Sequence, residues 1–293
     1  MSKHLLSKLL NDSDIYLFDV GAKGGTKELN ILRSFTSCFG FEPNPEEAKQ
    51  LIRQNTNFKH YECFPYALGS EDCNKVLKIS KHPSYSSFLD VDWEVIDLHH
   101  RYMPIYEDIK NMLNFQSKIR VPVRKLDCLD FGHIDLLKID TQGTELDILN
   151  GASNKLINHQ ISFIKCEVSF IKVYNNCALF SDIDSYIRSF GFHFIDCIYL
   201  PEVVSIKPLI KNKHNKGYKD RIKYSTVGNA LYVLDLTHLS KEHCMTTGLI
   251  LADYGYFSFA EYYLQNSGIP HNVANDLLIY FYNKLTLRNN SEL

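Results

Sequence analysis

The chain of 293 residues is 45% hydrophobic and 23% charged, which suffices for one large globular domain or for one domain with an appendage. Its net charge of -2 provides no overall attraction to nucleic acid or to an anionic membrane. No apolar run reaches the roughly 18–20 residues that a transmembrane helix needs.

The eight cysteines are scattered along the chain, without a CxxC pair and without a cysteine–histidine spacing typical of metal sites. Several of them, such as Cys166 and Cys197, lie in strand-like runs, so we interpret them as reduced thiols of the core. The apolar stretch near the N-terminus is too short and too interrupted for a signal peptide. We therefore expect a cytoplasmic protein without a bound metal.

The first third of the chain alternates strands with helices. A helix is predicted over residues 3–11, and "IYLFDV" (15–20) is typical of a strand buried on both faces. Three glycines follow, then "TKELNILRSF" (26–35) with helical spacing, a strand "CFGFE" (38–42), and a helix that Pro45 opens. Two further strands are predicted, one within 58–70 and one over 75–80.

The middle of the chain begins with a segment rich in tyrosine, histidine and acidic residues, 83–115, which is predicted to be helical. Strands then resume at 119–131, 134–140 and 161–170, separated by helices, and the two closing strands at 192–200 and 229–236 should be antiparallel. This order predicts an α/β fold: a doubly wound, mostly parallel seven-stranded sheet with helices on both faces.

Two domains are predicted from this pattern. Residues 1–236 form the α/β domain, in which 83–115 and 201–227 are insert or acceptor-side segments. The pattern changes to helices over roughly 240–252, 255–266 and 271–286, so 237–293 is predicted to be a C-terminal helical extension. Its many aromatic side chains must be buried against the α/β domain or, as the alternatives, in a homodimer interface or at a membrane face.

The glycine turn after the first strand leaves room for a ligand beside the backbone. Gly21, Gly24 and Gly25 do not have the G-x-G-x-x-G spacing of a dinucleotide site. Asp19 precedes them and suits a ligand with an amine better than a pyrophosphate, while Glu42 ends the second strand and can accept both hydroxyls of a ribose. S-adenosylmethionine therefore fits better than NAD, unless Asp19 only caps the turn and Glu42 is merely exposed.

These motifs resemble those of the FkbM-type methyltransferases. "FDVGAKGG" and "GFEPNPEE" resemble the first two motifs of that family, and "RKLDCLDF" followed by "IDLLKIDTQGTELDILNGA" resembles its most distinctive signature. The resemblance implies a class I Rossmann-like methyltransferase that uses S-adenosylmethionine, often on a hydroxyl of a sugar or polyketide. It implies that the cofactor contacts Asp19, Gly21, Ala22, Lys23, Gly24, Gly25, Glu42, Pro43, Asn44, Ala67, Leu68 and Asp140.

The chain departs from the family pattern at three points. Lys23 and Gly25 stand in unusual places of the first motif, and Gln142 replaces a common glutamate. Tyr66 replaces the usual polar residue before Ala67. These departures concern how the cofactor is held rather than the class of protein.

Three acidic residues are candidates for catalysis, because methylation of a hydroxyl requires removal of its proton. Asp140 ends a strand and can orient the amine, accept the proton or, as the alternative, cap the next helix. Glu145 follows about one turn later and either supports Asp140 as a partner or is a surface acid favoured by the helix dipole. Glu167 ends the neighbouring strand; it either shares the acceptor site with Asp140 or pairs with Lys138 or Lys165.

Two segments are candidates for binding the acceptor. The insert 83–115 can cover the site and stack on a sugar ring, or its aromatic residues only pack; they include Tyr85, Trp93, Tyr102 and Tyr106, beside the histidine pair His99 and His100. The basic run 207–223 can steer a phosphorylated acceptor, or it is a solvated loop.

The sequence thus predicts an S-adenosylmethionine-dependent O-methyltransferase acting on a hydroxyl of a sugar, glycan or glycan precursor, and not on nucleic acid. One alternative is a protein that binds the cofactor without catalysis and serves in interactions. The other is a nicotinamide-dependent oxidoreductase, against which the glycine spacing and Asp19 argue.

Overall fold

The computed structural model describes residues 2–10, 14–55, 57–101, 106–199 and 226–289. After helix α1 (Ser2–Leu9), seven of its strands form one sheet. In sheet order they are β3 (His60–Phe64), β2 (Thr36–Phe41), β1 (Ile15–Val20), β7 (Ile134–Ile139), β8 (Ile161–Ser169), β10 (Val227–Leu234) and β9 (Phe192–Tyr199). The first five are parallel, and β10 is antiparallel to both of its neighbours. The predicted Rossmann-like sheet is confirmed, and its strand order reverses between β1 and β7, where such folds bind ligands.

Successive side chains of each central strand point to opposite faces, so the sheet separates two cores. On one face, Phe18 and Ile164 pack with helices α5 (Glu145–Asn150), α6 (Ser153–Ile157) and α7 (Phe180–Arg188). On the other face, Leu17 and Phe163 belong to a core that the C-terminal helices complete. Helix α2 (Pro45–Gln54) packs beside the first motif; it begins at Pro45 because the Asn44 side chain accepts the Glu46 N–H.

The three C-terminal helices are α8 (Lys241–Asp253), α9 (Phe257–Asn266) and α10 (His271–Asn289), as predicted. Leu249, Leu264 and Phe281 are completely buried in the core that also contains Leu17 and Phe163. The extension is therefore the helical layer of one sheet face, which the sequence pattern alone does not reveal.

Three further strands form a small separate sheet, in the order β4 (Ala67–Leu68), β6 (Phe115–Arg124) and β5 (Cys73–Ser80). The sequence pattern predicts β5 and β6 but does not separate them from the main sheet. The segment between them contains α3 (Trp93–His100) and α4 (Tyr106–Leu113), as predicted for the insert, and residues 102–105 lie outside the described ranges. Together the small sheet and the two helices stand beside the carboxyl ends of β2 and β7.

The predicted helix over residues 26–35 is wrong. This segment is irregular except for a short 3-10 turn at Arg33–Phe35. Its backbone is satisfied from outside: Asp253, at the end of α8, accepts the N–H groups of Ile31 and Leu32 at 2.9 and 2.8 Å. Leu29, with a positive φ of 52°, and Leu32 are buried in the core that α8 completes, so the apolar spacing serves a docked loop.

None of the helices in the described ranges is both long and apolar enough to cross a membrane. All eight cysteines are free thiols, and Cys166 and Cys197 are buried as predicted.

Candidate active site

A first cavity, of about 260 Å³, opens at the carboxyl ends of β1, β2 and β7. Eight of the residues predicted to bind the cofactor line it: Gly21, Lys23, Glu42, Pro43, Asn44, Ala67, Leu68 and Asp140. The other four, Asp19, Ala22, Gly24 and Gly25, are not in its wall. The predicted motifs therefore converge on one place, although the glycines act partly through the backbone.

Gly21 brings the end of β1 against the end of β7. Its φ is +78°, and a Cβ atom at this position would lie 1.9 Å from the carbonyl oxygen of Asp140. Its N–H donates to the carbonyl of Phe41 on β2 at 3.1 Å. Only glycine satisfies both the positive φ and the contact, so it fixes the distance between the first motif and Asp140.

Asp19 is paired inside the protein instead of facing the cavity. It is 1% exposed; its Oδ1 lies 3.0 Å from Nζ of Lys138, and its other oxygen accepts the Thr26 hydroxyl. Lys138 also donates to the carbonyl of Gly21 at 3.1 Å. Burial lowers the pKa of Lys138, but the charges of Asp19 and Asp140 outweigh burial and raise it overall. Asp19 thus holds the turn, and its predicted contact with the ligand's amine stays a prediction.

Glu42 lies at the cavity wall with only 6% of its surface exposed. One carboxylate oxygen accepts the Asn44 N–H at 2.9 Å. Burial raises the pKa of Glu42, while the Asn44 N–H and the charge of Lys23 act in the opposite direction. A partly desolvated carboxylate that can accept further hydrogen bonds suits a ligand that presents hydroxyl donors.

Part of the remaining wall of the first cavity is apolar, beside polar residues such as Ser86, Thr141 and Thr144. Ala67 and Leu68 of the small sheet contribute to it, with Phe41, Leu77 and Ile79. Such a wall suits the flat face of a nucleobase or another planar group.

A second cavity, of about 360 Å³, lies next to the first and shares Ser84, Asp140 and Gln142 with it. Glu167, predicted to be catalytic, lines only this second cavity. The insert contributes Tyr85 and part of α3 and α4, so its predicted position over the crevice agrees with the structure. The two cavities therefore adjoin at Asp140.

Gln142 connects the two carboxyl groups of the site. Its Nε2 donates to Asp140 Oδ1 at 3.2 Å and to Glu167 Oε2 at 2.8 Å. Its Oε1 accepts the Tyr174 hydroxyl at 3.2 Å, and its carbonyl accepts the Ser87 hydroxyl at 2.7 Å. These contacts hold Gln142 at a positive φ of 59°. The sequence indicated Gln142 only as a departure from the family pattern.

Asp140 and Glu167 differ in environment. The Asp140 side chain is 38% exposed and lies 3.7 Å from Nζ of Lys138. Glu167 is 7% exposed, and burial, followed by the charges of Asp140 and Glu145, raises its pKa well above the ordinary value. Lys138 pairs with Asp19, and Lys165 pairs with Glu28 at 2.6 Å, so the alternative pairing of Glu167 with either lysine is absent among the described residues.

Glu145 lines neither cavity. Its carboxylate accepts the N–H groups of Thr141 and Gly143 at 2.9 and 3.1 Å. Burial raises its pKa, and these backbone donors act in the opposite direction. Glu145 organises the turn that follows β7, while helix α5 has Thr144 at its N-cap, so Asp140 does not cap that helix.

Other predicted contacts fall outside this arrangement. Trp93 is 41% exposed, and the Tyr106 hydroxyl donates to Asp97. His99 is in neither wall, and Tyr102 and the basic run 207–223 lie outside the described residues. In the described part of the chain no three His, Cys, Asp or Glu side chains are grouped so that they can hold a metal ion.

The strand order, the antiparallel β10 and two adjoining cavities at the switch point define a Rossmann-like methyltransferase fold. The chain belongs to the FkbM methyltransferase family: the family model for the methyltransferase FkbM domain matches residues 19–194. The predicted family and the predicted enzyme class, methyltransferase, are confirmed. S-adenosylmethionine is confirmed as the cofactor at the level of the family.

Individual relatives are distant. The chain is 26% identical over 175 residues to a 2-O-methyltransferase, NoeI, from Sinorhizobium fredii, covering 57% of this chain and 68% of that protein. A methyltransferase FkbM from Methylobacillus flagellatus is 15% identical, with a TM-score of 0.41, over 75% of this chain and only 43% of its own. Magnesium protoporphyrin IX methyltransferase from Synechocystis is 8% identical, with a TM-score of 0.38, over 80% and 78%. The family assignment rests on the family model.

Proposed function

We propose that this chain is an S-adenosylmethionine-dependent O-methyltransferase that methylates a hydroxyl of a sugar, glycan or glycan precursor. The observation that carries the proposal is the junction of the two cavities at Asp140 and Gln142. A transferase needs such adjoining sites, since donor and acceptor must meet in line. The name of the relative NoeI, a 2-O-methyltransferase, supports a hydroxyl as the acceptor.

The residues that line the first cavity suit the chemical groups of the cofactor. Glu42 would accept the ribose hydroxyls, Ala67 and Leu68 would contact the base, and the turn at Gly21 would lie beside the amino-acid part. Asp140, which is exposed to the same cavity, would receive the amine. When bound, S-adenosylmethionine supplies an electrophilic methyl group.

Removal of the acceptor's proton falls to Asp140. It is the carboxylate that faces both cavities, and Nζ of Lys138 lies 3.7 Å from it. Glu167, with its raised pKa, retains a proton more readily and can donate a hydrogen bond to the acceptor. Gln142 keeps the two carboxyl groups in place.

Partners and location complete the proposal. The basic run 207–223 would attract phosphorylated acceptors, and a cytoplasmic location follows from the expected reduced thiols. Exposed aromatic side chains on α9 and α10, Phe259, Tyr262 and Tyr282, support a homodimer through the C-terminal helices. Sedimentation at several protein concentrations tests the dimer, which a monomer throughout would exclude.

The cofactor site is tested by calorimetric titration with S-adenosylmethionine, S-adenosylhomocysteine and NAD. We expect both sulfur nucleotides to bind, and Glu42→Ala to weaken binding by about 1–3 kcal/mol because hydrogen bonds to a charged acceptor are lost. Glu62→Ala, on the exposed side of β3, is the matched control and should bind normally. Unchanged affinity in Glu42→Ala would exclude the ribose role.

The alternative of a cofactor-binding protein without catalysis makes the same titration prediction but a different kinetic one. An active enzyme forms S-adenosylhomocysteine when it is supplied with a pool of glycan acceptors. Cofactor binding without any turnover over a broad acceptor pool would favour the interaction protein instead.

A further inference from the structure

The walls of the second cavity differ in polarity from one side to the other. Its polar side contains the carboxyl groups of Asp140 and Glu167 with the amide of Gln142 between them, and further polar side chains of the wall are those of His82, Ser84, Ser169 and Thr226. Aliphatic side chains form much of the remainder, and they come from α3, α4, the segment after β8, and β10: Ile96, Ile109, Met112, Leu113, Val173 and Val227.

The aliphatic side is part of a genuine core and not a loose surface. Ile96, Leu113 and Val173 are 1%, 3% and 9% exposed and belong to one buried cluster. Because this cluster joins the insert to the segment after β8, the wall keeps its apolar character when a ligand enters. A ligand group that contacts it is removed from water without gaining hydrogen bonds.

The hydroxyl of Tyr174 does not alter this character. It already donates to the carbonyl of Tyr85 and to Gln142 Oε1, both at 3.2 Å. The lining contains no lysine or arginine among the residues that the structure describes. A phosphate or carboxylate inside the cavity would therefore face the carboxyl groups of Asp140 and Glu167, and His82 is the one side chain of the described lining that can carry a positive charge.

A bare monosaccharide fits such a cavity poorly, since it carries hydroxyl groups on every side of its ring. One hydroxyl can be satisfied by Asp140 and Glu167, but those directed at Ile109 or Leu113 would lose their hydrogen bonds to water. An alkyl or aryl group in the same place gains free energy from its burial.

We propose that the acceptor is uncharged at this cavity and that its target hydroxyl lies within a few bonds of an alkyl or aryl group, which occupies the aliphatic side. The inference rests on the proposed function for the identity of the hydroxyl as the methylated group. It narrows the acceptor to a conjugate, such as an acylated or aryl glycoside, in which the sugar hydroxyl and the apolar group enter together.

The test uses primary alcohols of increasing length, butanol, hexanol and octanol, as probes that carry one hydroxyl and one alkyl chain. Their affinities for the protein saturated with S-adenosylhomocysteine are measured by ligand-observed NMR. We expect the affinity to rise about fourfold for each added methylene until the cavity is filled. The corresponding diols with a hydroxyl at both ends should lose this gain.

Ile109→Asn places a polar group in the aliphatic wall and should abolish the dependence on chain length. Ile52→Asn, at an exposed position of α2, is the matched control and should leave it unchanged. If Ile109→Asn fails to fold, Ile109→Thr serves as the conservative second variant and should reduce the gain per methylene.

Equal affinities along the alcohol series, or a gain that persists in both Ile109 variants, would overturn the inference. The proposed function is tested separately: if S-adenosylhomocysteine does not bind, methyl transfer from S-adenosylmethionine is excluded. The same alcohol series on the free protein then still decides whether the second cavity prefers a hydroxyl beside an apolar group.

Discussion

At the scale of single residues, the site depends on an amide between two carboxyl groups. Gln142 donates to Asp140 and Glu167 from one nitrogen, and Tyr174 fixes which way its amide points. A neutral donor at this position reduces the repulsion between the carboxyl groups without adding a charge of its own. The half-exposed Asp140 and the buried Glu167 can then lie at the same edge of the sheet.

Replacing Gln142 by leucine removes the donor while keeping a similar size. The two carboxyl groups would then repel each other without the amide between them, so the pKa of Glu167 should rise further and the acidic limb of the pH–rate profile should move up by about one unit. The profile is measured from the formation of S-adenosylhomocysteine. Gln116→Leu, at an exposed position of β6, is the control for this variant. Separately, Asp140→Asn should lose turnover with little change in thermal stability. An acidic limb that stays in place would exclude this role of Gln142.

Sequence reasoning located Glu42 and Asp140 because each directly follows a recognisable buried strand, and parallel strands end at one edge. It did not find the bridge, since the contact between Gln142 and Glu167 joins residues 25 positions apart. The ion pair of Asp19 was missed for a similar reason: its partner Lys138 is on the neighbouring strand β7, more than a hundred residues away. A local pattern identifies which residues stand at the edge but not which of them neutralise each other.

At the scale of elements, the C-terminal helix α8 supports the loop after the glycine turn. Asp253 accepts two backbone N–H groups of that loop, and Glu28 of the same loop pairs with Lys165 and accepts the Tyr254 hydroxyl. The apolar spacing of 26–35 suggested a helix because Leu29 and Leu32 are buried, but they are buried against residues more than 200 positions later. Tertiary contacts therefore override the local helical pattern.

Asp253→Ala should loosen this loop. Two buried N–H groups lose their acceptor, so the free energy of unfolding should fall by about 2–3 kcal/mol, and amide exchange at Ile31 and Leu32 should accelerate. Denaturant unfolding and hydrogen exchange measure the two effects. Asp253→Asn keeps an acceptor oxygen and should lose much less. Equal losses in the two variants would indicate that the charge of Asp253 matters rather than its hydrogen bonds.

A stacked pair of histidines attaches α8 to the start of β7. The rings of His133 and His243 are 3.4 Å apart and nearly parallel, and His133 Nε2 lies 2.6 Å from the Ser162 hydroxyl. Burial, then the charge of His243, lowers the pKa of His133 to about 3, and burial also lowers the pKa of His243. Both rings are therefore neutral in the folded protein at a pH where free histidine already takes up a proton.

This pair should make the protein sensitive to acid. Because the folded pKa values lie below those of the unfolded chain, the stabilisation is complete above about pH 6.5 and is lost as the pH falls below it, by up to about 1.4 kcal/mol per pH unit for each ring. Asp135 and Asp253, whose pKa values burial raises to about 6, act in the opposite direction. The histidine contribution is isolated by comparing the wild type with His133→Gln in urea unfolding from pH 7 to about pH 5. The exposed His271→Gln should follow the wild-type curve; a parallel curve for His133→Gln would contradict the assignment.

At the scale of the whole molecule, the predicted domain boundary at residue 236 remains a proposal. The C-terminal helices pack closely on the central sheet of the α/β domain. The face of the sheet that contains Leu17, Leu136 and Phe163 is covered by α8 to α10. Composition and periodicity identified the extension as helical but not as one of the two layers that enclose the sheet. That information lies in contacts between distant parts of the chain.

A fragment of residues 1–236 should therefore not fold into a stable monomer. It would expose one apolar face of the central sheet and leave the loop around Leu32 without support. Gel filtration and circular dichroism of the fragment, beside the full chain, test this expectation. A soluble fragment that unfolds cooperatively and binds S-adenosylhomocysteine would show that the extension is a separate appendage.

The contact at Gly21 has a consequence for how the site tolerates change. A single added carbon there would meet the carbonyl oxygen of Asp140 at 1.9 Å, which is closer than any relaxed side chain permits. Even alanine must therefore push apart the ends of β1 and β7, and with them the walls that the two cavities share. The hydrogen atom that Gly21 has in place of a side chain thus sets the spacing of the cavities between which a methyl group would be transferred. We expect substitutions that adapt the enzyme to new acceptors to be tolerated in the insert before they are tolerated at this turn.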